Sequence, residues 1–534
     1  MRKHQRGTTF AVSRRDLLAQ GGAATVAAAL VEVLPARAAG TRFVFANESD
    51  YDTVDPHAAF DVGRVAVRLN LYDGLMRWQK NPAVLEPWVA ESYVISPDGL
   101  SYTFKMRKGV KFHDGTEVKA QDVVYSLDRI LALGKGASSL FKTMIDPSAA
   151  KAVDDYTVEF KLSKPSAIFL SVVPEIHIVN AALVRKNEAG GDWGQAWLSK
   201  NDAGSGAYKL TQFDPALGFV AQRFPDHFKG WGSKWLDEIE FRGVKDTNTR
   251  VLGLLRDDFQ GIGGYLQTDQ LNRIKNNGTA QVLEAESMRV MMAQFNMTRA
   301  PISDVHVRRA INYAFDYDGF NKDILGGLVE RNPTPLPNTI WGVPKDVKGY
   351  AFDLDKAKAE LAQSSMPNGF NISVPGSSGD PYMVNVLQSV AQNLKQIGIN
   401  MQVQEIDGNQ WLDGYFRHEK LGMQIMAYYP DFADPVNYPY LFFDSANAAK
   451  DGMNGSNFKN PDVDKYLAAA NEQTDPKTRT EALQQVFRIA NDDVAVVPIF
   501  WPASAMAINN KYKLTGYTAF WYNIPWAIRG FGLK

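Results

Sequence analysis

The stretch that decides the fold is Phe370–Ile406, FNISVPGSSGDPYMVNVLQSVAQNLKQIGINMQVQEI. Its opening, FNISV (Phe370–Val374), reads as a strand. A helix follows, with Leu387, Val390, Ala391, Leu394 and Ile397 as its buried stripe. Gly398 sits where a left-handed C-cap belongs. MQVQEI (Met401–Ile406) then alternates as a second strand. Strand, helix, strand is a βαβ unit, expected to cross over right-handed and to form part of an α/β lobe.

Working outward, the rest of the chain keeps this alternation. TRFVFAN (Thr41–Asn47) reads as an opening strand, and Tyr102–Met106 and Thr157–Leu162 alternate as half-buried strands. Asp98-Gly99 and Asp114-Gly115 supply turns between strands. Asp122–Leu131 puts Val123, Val124, Leu127, Ile130 and Leu131 on one helical face. Val305–Asp316 predicts a helix with Val307, Ala310, Ile311, Ala314 and Phe315 turned inward. At 534 residues, 45% of them hydrophobic, the chain exceeds what one core supports, so at least two domains are expected.

The first 38 residues bear on compartment. A basic opening (Arg2, Lys3, Arg6) leads to the paired Arg14 and Arg15, a small apolar run, GGAATVAAALV, and then ARA at Ala36–Ala38. The run is short and alanine-rich for a membrane span, which needs about 20 apolar residues. The pattern resembles a twin-arginine export signal cleaved before Ala39, with an ordinary Sec signal as the alternative. The sequence has no cysteine, which excludes disulfides, thiolate metal sites and a lipoprotein attachment residue. A free periplasmic protein is expected. The formal net charge is −1, and residues 1–38 carry +4 within it, leaving about −5 for the rest. No bulk basic field is available to attract nucleic acid.

A search for catalytic groups returns little. The seven histidines form no HExxH or comparable pair, and His113 and His306 read as solvated or capping residues. No GxSxG elbow, P-loop or GxGxxG fingerprint occurs. GSGAY (Gly204–Tyr208) and GIGGY (Gly261–Tyr265) suit tight turns or backbone approaching a ligand. One loop stands out: AYYPDFADPVNY (Ala427–Tyr438) packs four aromatic rings, two aspartates and two prolines into twelve residues. Pro430 and Pro435 suit neither a helix nor a central strand, so it reads as a rigid loop after a strand. The pattern points to a binder rather than an enzyme, with no cofactor or metal. An exported hydrolase using Asp431 and Asp434 is the rival, and a periplasmic chaperone a third reading.

Several blocks together resemble a known family. LYDGLMRW (Leu71–Trp78), Pro87–Ile130, NDAGSGAYKL (Asn201–Leu210), FNMTRAPISDVHVRRAINYAFD (Phe295–Asp316) and the Ala427–Tyr438 loop occur in the order seen in family 5 extracellular solute-binding proteins, the peptide, nickel and opine receptors of bacterial ABC importers. The resemblance implies a two-lobed α/β fold of the type II-like periplasmic class with a hinge. Lobe I would span 39–288 and 499–534, with an extra subdomain at about 80–195, and lobe II 289–498. The hinge crossings would fall at Met288–Asn296 and Val496–Pro502.

The same resemblance implies a monomer that captures a small amine-bearing solute and passes it to an inner-membrane permease. A peptide is the first choice, with an opine, sugar conjugate or metal chelate as alternatives. It assigns Asp431 to the ligand's ammonium group, with Asp434 as a capping residue. Tyr428 would be a flat wall beside it, with Tyr429, Trp411, Phe60, Asp61, Val62, Gly263, Gly264 and Tyr265 also lining the pocket. Arg417 would meet a ligand carboxylate. Dipeptide-type members carry an arginine soon after the strand matching Phe370–Val374; here PGSSGDPYM (Pro375–Met383) has none, which turns the expectation toward longer peptides or other amines.

Overall fold

The computed structural model describes residues 41–60, 63–80, 83–264, 266–285, 287–323, 333–336, 340–378, 380–417, 422–448, 452–473, 475–500, 504–514 and 531–533. Residues 1–38, the expected export signal, lie outside them.

A seven-stranded mixed sheet runs in the order Ala280–Ala285, Ser504–Asn509, Gly261–Ile262, Arg42–Asn47, Glu238–Gly243, Gly218–Arg223, Tyr208–Asp214. The expected opening strand lies within it, parallel to both neighbours: Phe45 pairs with Gly261 and Arg42 with Glu238. Phe43, Phe45, Phe219 and Phe241 fill one face, with Phe219 and Phe241 stacked at 5.1 Å. Ser504–Asn509 comes from the far end of the chain and inserts antiparallel between two earlier strands, so this layer is discontinuous in sequence.

A second sheet, Met423–Tyr428, Val290–Phe295 and Val496–Phe500, is antiparallel, and its central strand is buried at every position. The chain enters it at Val290 and leaves after Phe500, where Met291 still pairs with Phe500. The strand therefore runs two residues beyond the expected boundary at 498. The deciding stretch folds as read: Phe370–Ser377 and Ile399–Ile406 pair in parallel along their whole length. Asp380 accepts from the Met383 amide at 3.1 Å to cap the Pro381–Lys395 helix, and Gly398 has φ +89. A third, four-stranded antiparallel sheet, Ala90–Ile95, Ser101–Met106, Thr157–Lys161 and Ala150–Asp154, covers the Ala120–Leu133 helix. Its core is continuous with that of the second sheet, through one cluster holding Phe104, Ile176, Tyr428 and Phe500.

Candidate functional site

Antiparallel pairing sets Tyr428 opposite Val290, so the aromatic loop leaves the sheet beside the Met288–Val290 crossing. The Tyr438 hydroxyl donates to the Met288 carbonyl and ties the far end of the loop there. The Tyr428 ring is buried edge-on against Tyr438 and Phe442, at 5.7 and 5.0 Å. The expected flat wall is thus a core ring whose tip does the positioning: its hydroxyl lies 3.1 Å from Asp431 Oδ2 and 2.8 Å from the Asn437 side chain. Asp431 is half-buried, and no Lys or Arg among the described residues pairs with it. Burial pushes its carboxyl up to about 6, against the Tyr428 hydrogen bond and with the negative charge of Glu175 adding to the rise. Asn437 opens a helix, Asn437–Phe443, so the loop expected through Tyr438 ends earlier; Pro439 falls in the helix's first turn, where a missing N–H is tolerated.

Asp434, three residues on, has a different environment. It accepts from the Val436 amide at 3.0 Å and from the Arg479 guanidinium at 2.7 Å, with both side chains buried. Arg479 also donates to the Ala470 carbonyl at 2.7 Å. A carboxylate so engaged is no acid–base partner for Asp431, which removes the geometry the hydrolase reading needs.

A second group of buried polar residues, a candidate wall of the site, is built from an earlier part of the chain. Arg68, on the Val65–Leu71 helix, stands over the half-buried Phe60 ring at 5.2 Å, donates to the Ala59 carbonyl, and lies 3.7 Å from Glu175. Glu175 is 7% exposed, His177 Nε2 lies 3.4 Å from its Oε2, and that oxygen accepts no hydrogen bond among the described residues. Burial raises the Glu175 carboxyl, but Arg68 and His177 pull it below its ordinary value on balance, so it is ionised at neutral pH. Burial holds His177 below its usual range, hence neutral.

The VDPH segment (Val54–His57) fixes this wall. Asp55 takes a bidentate pair from Arg129 at 2.8 and 2.6 Å, with both side chains fully buried. Arg129 also approaches His57 Nδ1 at 3.0 Å, which leaves Nε2 to donate to the His177 carbonyl at 2.8 Å. Arg68, Glu175 and His177 were missed in the sequence. The signal was SVVPEIHIVN (Ser171–Asn180), where two ionisable residues interrupt an apolar run.

Other expected residues scatter. Tyr429 is half-buried, with the Arg289 guanidinium 5.5 Å from its ring centre. Gly263 is buried and bonds its amide to the Ala46 carbonyl at 3.1 Å. Gly264 has φ +96, a conformation that L side chains rarely adopt, so any other residue there would be strained. Trp411 stacks on Tyr415 at 5.5 Å and belongs to the core, its indole N–H without an acceptor among the described residues. Asp61, Val62 and Tyr265 lie outside the described residues, as does the Arg417 side chain. His113 corrects a reading: it is buried, 2.7 Å from Asp202 and 2.8 Å from the Gly206 carbonyl. Burial lowers its pKa, but Asp202 outweighs this, and a buried imidazole needs such partners.

Two further contacts join segments far apart in the chain. The Ala167 amide donates to the Asn471 carbonyl at 2.7 Å, and the Tyr382 hydroxyl to the Leu266 carbonyl at 3.0 Å.

A family model for bacterial extracellular solute-binding proteins, family 5 (Middle) matches residues 84–450. The probable D,D-dipeptide-binding periplasmic protein DdpA of Escherichia coli (strain K12) is 30% identical over 88% of this chain and 90% of its own length. The glutathione-binding protein GsiB of Pectobacterium atrosepticum is 29% identical over 96% of both. Among solved structures, the periplasmic binding protein DppA from Helicobacter pylori, in complex with the peptide STSA, superposes with a TM-score of 0.78 at 26% identity, covering 92% of this chain and 98% of that one. The chain belongs to the family 5 solute-binding proteins, and its fold is their two-lobed α/β architecture.

Proposed function

We propose that the protein is the exported, periplasmic substrate-binding component of an ABC importer, taking a small amine-bearing solute, with peptides as the class. The observation that carries this is Asp431: a half-buried carboxylate, oriented by Tyr428 and Asn437, with no cation beside it among the described residues. An unpaired buried charge costs several kcal/mol, and a ligand ammonium would supply the missing partner. Relatives named for dipeptide and glutathione binding support the solute class.

In this reading, lobe I comprises 39–288 and 499–534, with a subdomain at about 80–195, and lobe II comprises 289–498. The Ala167–Asn471 and Tyr382–Leu266 bonds then cross between lobes and belong to a closed state. Closure would present both lobes to the permease together, so that ligand shifts the open–closed population. Residues 1–38 would direct export and be removed before Ala39.

The test is a thermal-shift screen of protein stripped of ligand by mild denaturation and refolding, with di- to pentapeptides, opines, amino sugars and nickel–histidine. Ligand at 100 times its Kd stabilises by about 2.7 kcal/mol. Stabilisation by peptides that N-acetylation abolishes supports the proposal, and silence toward every amine refutes it.

A further inference from the structure

We propose that Glu175 is a second carboxylate of the ligand site, so that a ligand's cationic group is gripped from both walls, by Asp431 on one and Glu175 on the other. The proposal deepens the amine-receptor reading and rests on it.

Geometry carries it first. Glu175 is 7% exposed, and its Oε2 accepts no hydrogen bond among the described residues. Its nearest donors, Arg68 at 3.7 Å and neutral His177 at 3.4 Å, stand beyond good hydrogen-bonding distance. Buried carboxylate oxygens in folded proteins are nearly always satisfied, so one left over asks for a donor. The field of Glu175 also reaches Asp431, where it adds to the rise that burial imposes on that carboxyl.

Charge bookkeeping points the same way. The groups facing this space are Arg68, Glu175, Asp431, neutral His177, and the uncharged Tyr428, Tyr438 and Asn437. Arg77, whose field reaches His177, is 3.8 Å from Asp73 and balanced by it, and Arg289, beside the Tyr429 ring, is likewise paired with Asp380 at 3.4 Å. One cation against two carboxylates leaves a surplus of one negative charge. An ammonium or guanidinium group placed between the carboxylates would cancel it and remove the repulsion that opposes their approach. Glu175 would thereby couple recognition of the cation to closure.

Two measurements test this, the first needing no ligand. Small-angle scattering of the stripped wild-type protein should show a smaller radius of gyration at pH 5.0 than at pH 7.5, because protonating Asp431 relieves the repulsion. E175Q should already be compact at pH 7.5. In the second, tetra-alanine is titrated against N-acetyl-tetra-alanine by calorimetry, and E175Q should reduce the preference for the free amine by about tenfold or more, the range of a charged hydrogen bond. A wild-type pH profile in E175Q, verified as folded by its melting curve, overturns the proposal, as does an unchanged amine preference. Should the wild type bind no peptide of the di- to pentapeptide screen, the peptide reading falls, while the scattering arm still decides the role of Glu175.

Discussion

Asp431 and Asp434 lie in one loop, three residues apart, yet meet opposite fates. Asp434 is closed off, with an amide on one side and a buried Arg479 on the other. Asp431 is oriented just as firmly, by Tyr428 and Asn437, but by neutral groups; burial, with no Lys or Arg paired to it among the described residues, raises its pKa to about 6. One aspartate thus holds the loop, while the other keeps a charge that no Lys or Arg among the described residues pairs, the feature on which its proposed ligand role rests.

Breaking the closed aspartate should have the largest effect. Asp434→Asn leaves Arg479 buried without its counter-charge, a loss of about 3–5 kcal/mol. Chemical denaturation should show that drop, while surviving folded protein keeps its free-amine selectivity. A change in selectivity without a loss of stability would reverse the roles assigned to the two aspartates.

Asp431 should behave in the opposite sense. Its folded pKa is raised above the ordinary carboxylate value near 4, so the folded state binds a proton more tightly than the unfolded state. Its contribution to stability is therefore unfavourable above about pH 6 and is relieved as pH falls from there toward 4. Asp431→Asn should remove that trend from the difference between mutant and wild-type melting curves, and should not destabilise the protein at pH 7.5. In the same window, wild-type affinity for an amine should fall as the carboxylate is protonated. A flat difference curve between pH 4 and 7 would mean that Asp431 is compensated by some group and is no free anchor.

Much of the architecture was legible because it is local. Period-two alternation marked Tyr102–Met106 and Thr157–Leu162, and the Leu387–Ile397 stripe with Gly398 marked the βαβ unit. Two prolines marked the stiff loop. What stayed hidden depends on partners distant in sequence. Asp434 meets Arg479 45 residues away, and Asp55 meets Arg129 74 residues away. No pattern within the loop could say which aspartate Arg479 would find. Glu175 became visible as a wall residue only once folding had brought Arg68 and His177 around it. The family resemblance implies a ligand wall at Tyr428; its place at the end of a buried strand, edge-on against Phe442, makes it a support for Asp431.

The smallest expected effect separates grip from closure. The Tyr382 hydroxyl bonds the Leu266 carbonyl, and neither group carries a charge that could distinguish an amine from its acetylated form. Tyr382→Phe should therefore cost about 0.5–1.5 kcal/mol, the net value of a neutral hydrogen bond. If the bond exists only in the closed state, that loss appears as weaker binding of every ligand, by roughly 2- to 13-fold. The ratio of free-amine to N-acetyl affinity should stay at its wild-type value, in contrast to changes at Asp431 or Glu175. Calorimetric titration of the mutant with both peptides decides the matter. Uniform weakening assigns Tyr382 to closure, whereas a shifted ratio would place its hydroxyl against the ligand and make the Leu266 contact a resting position.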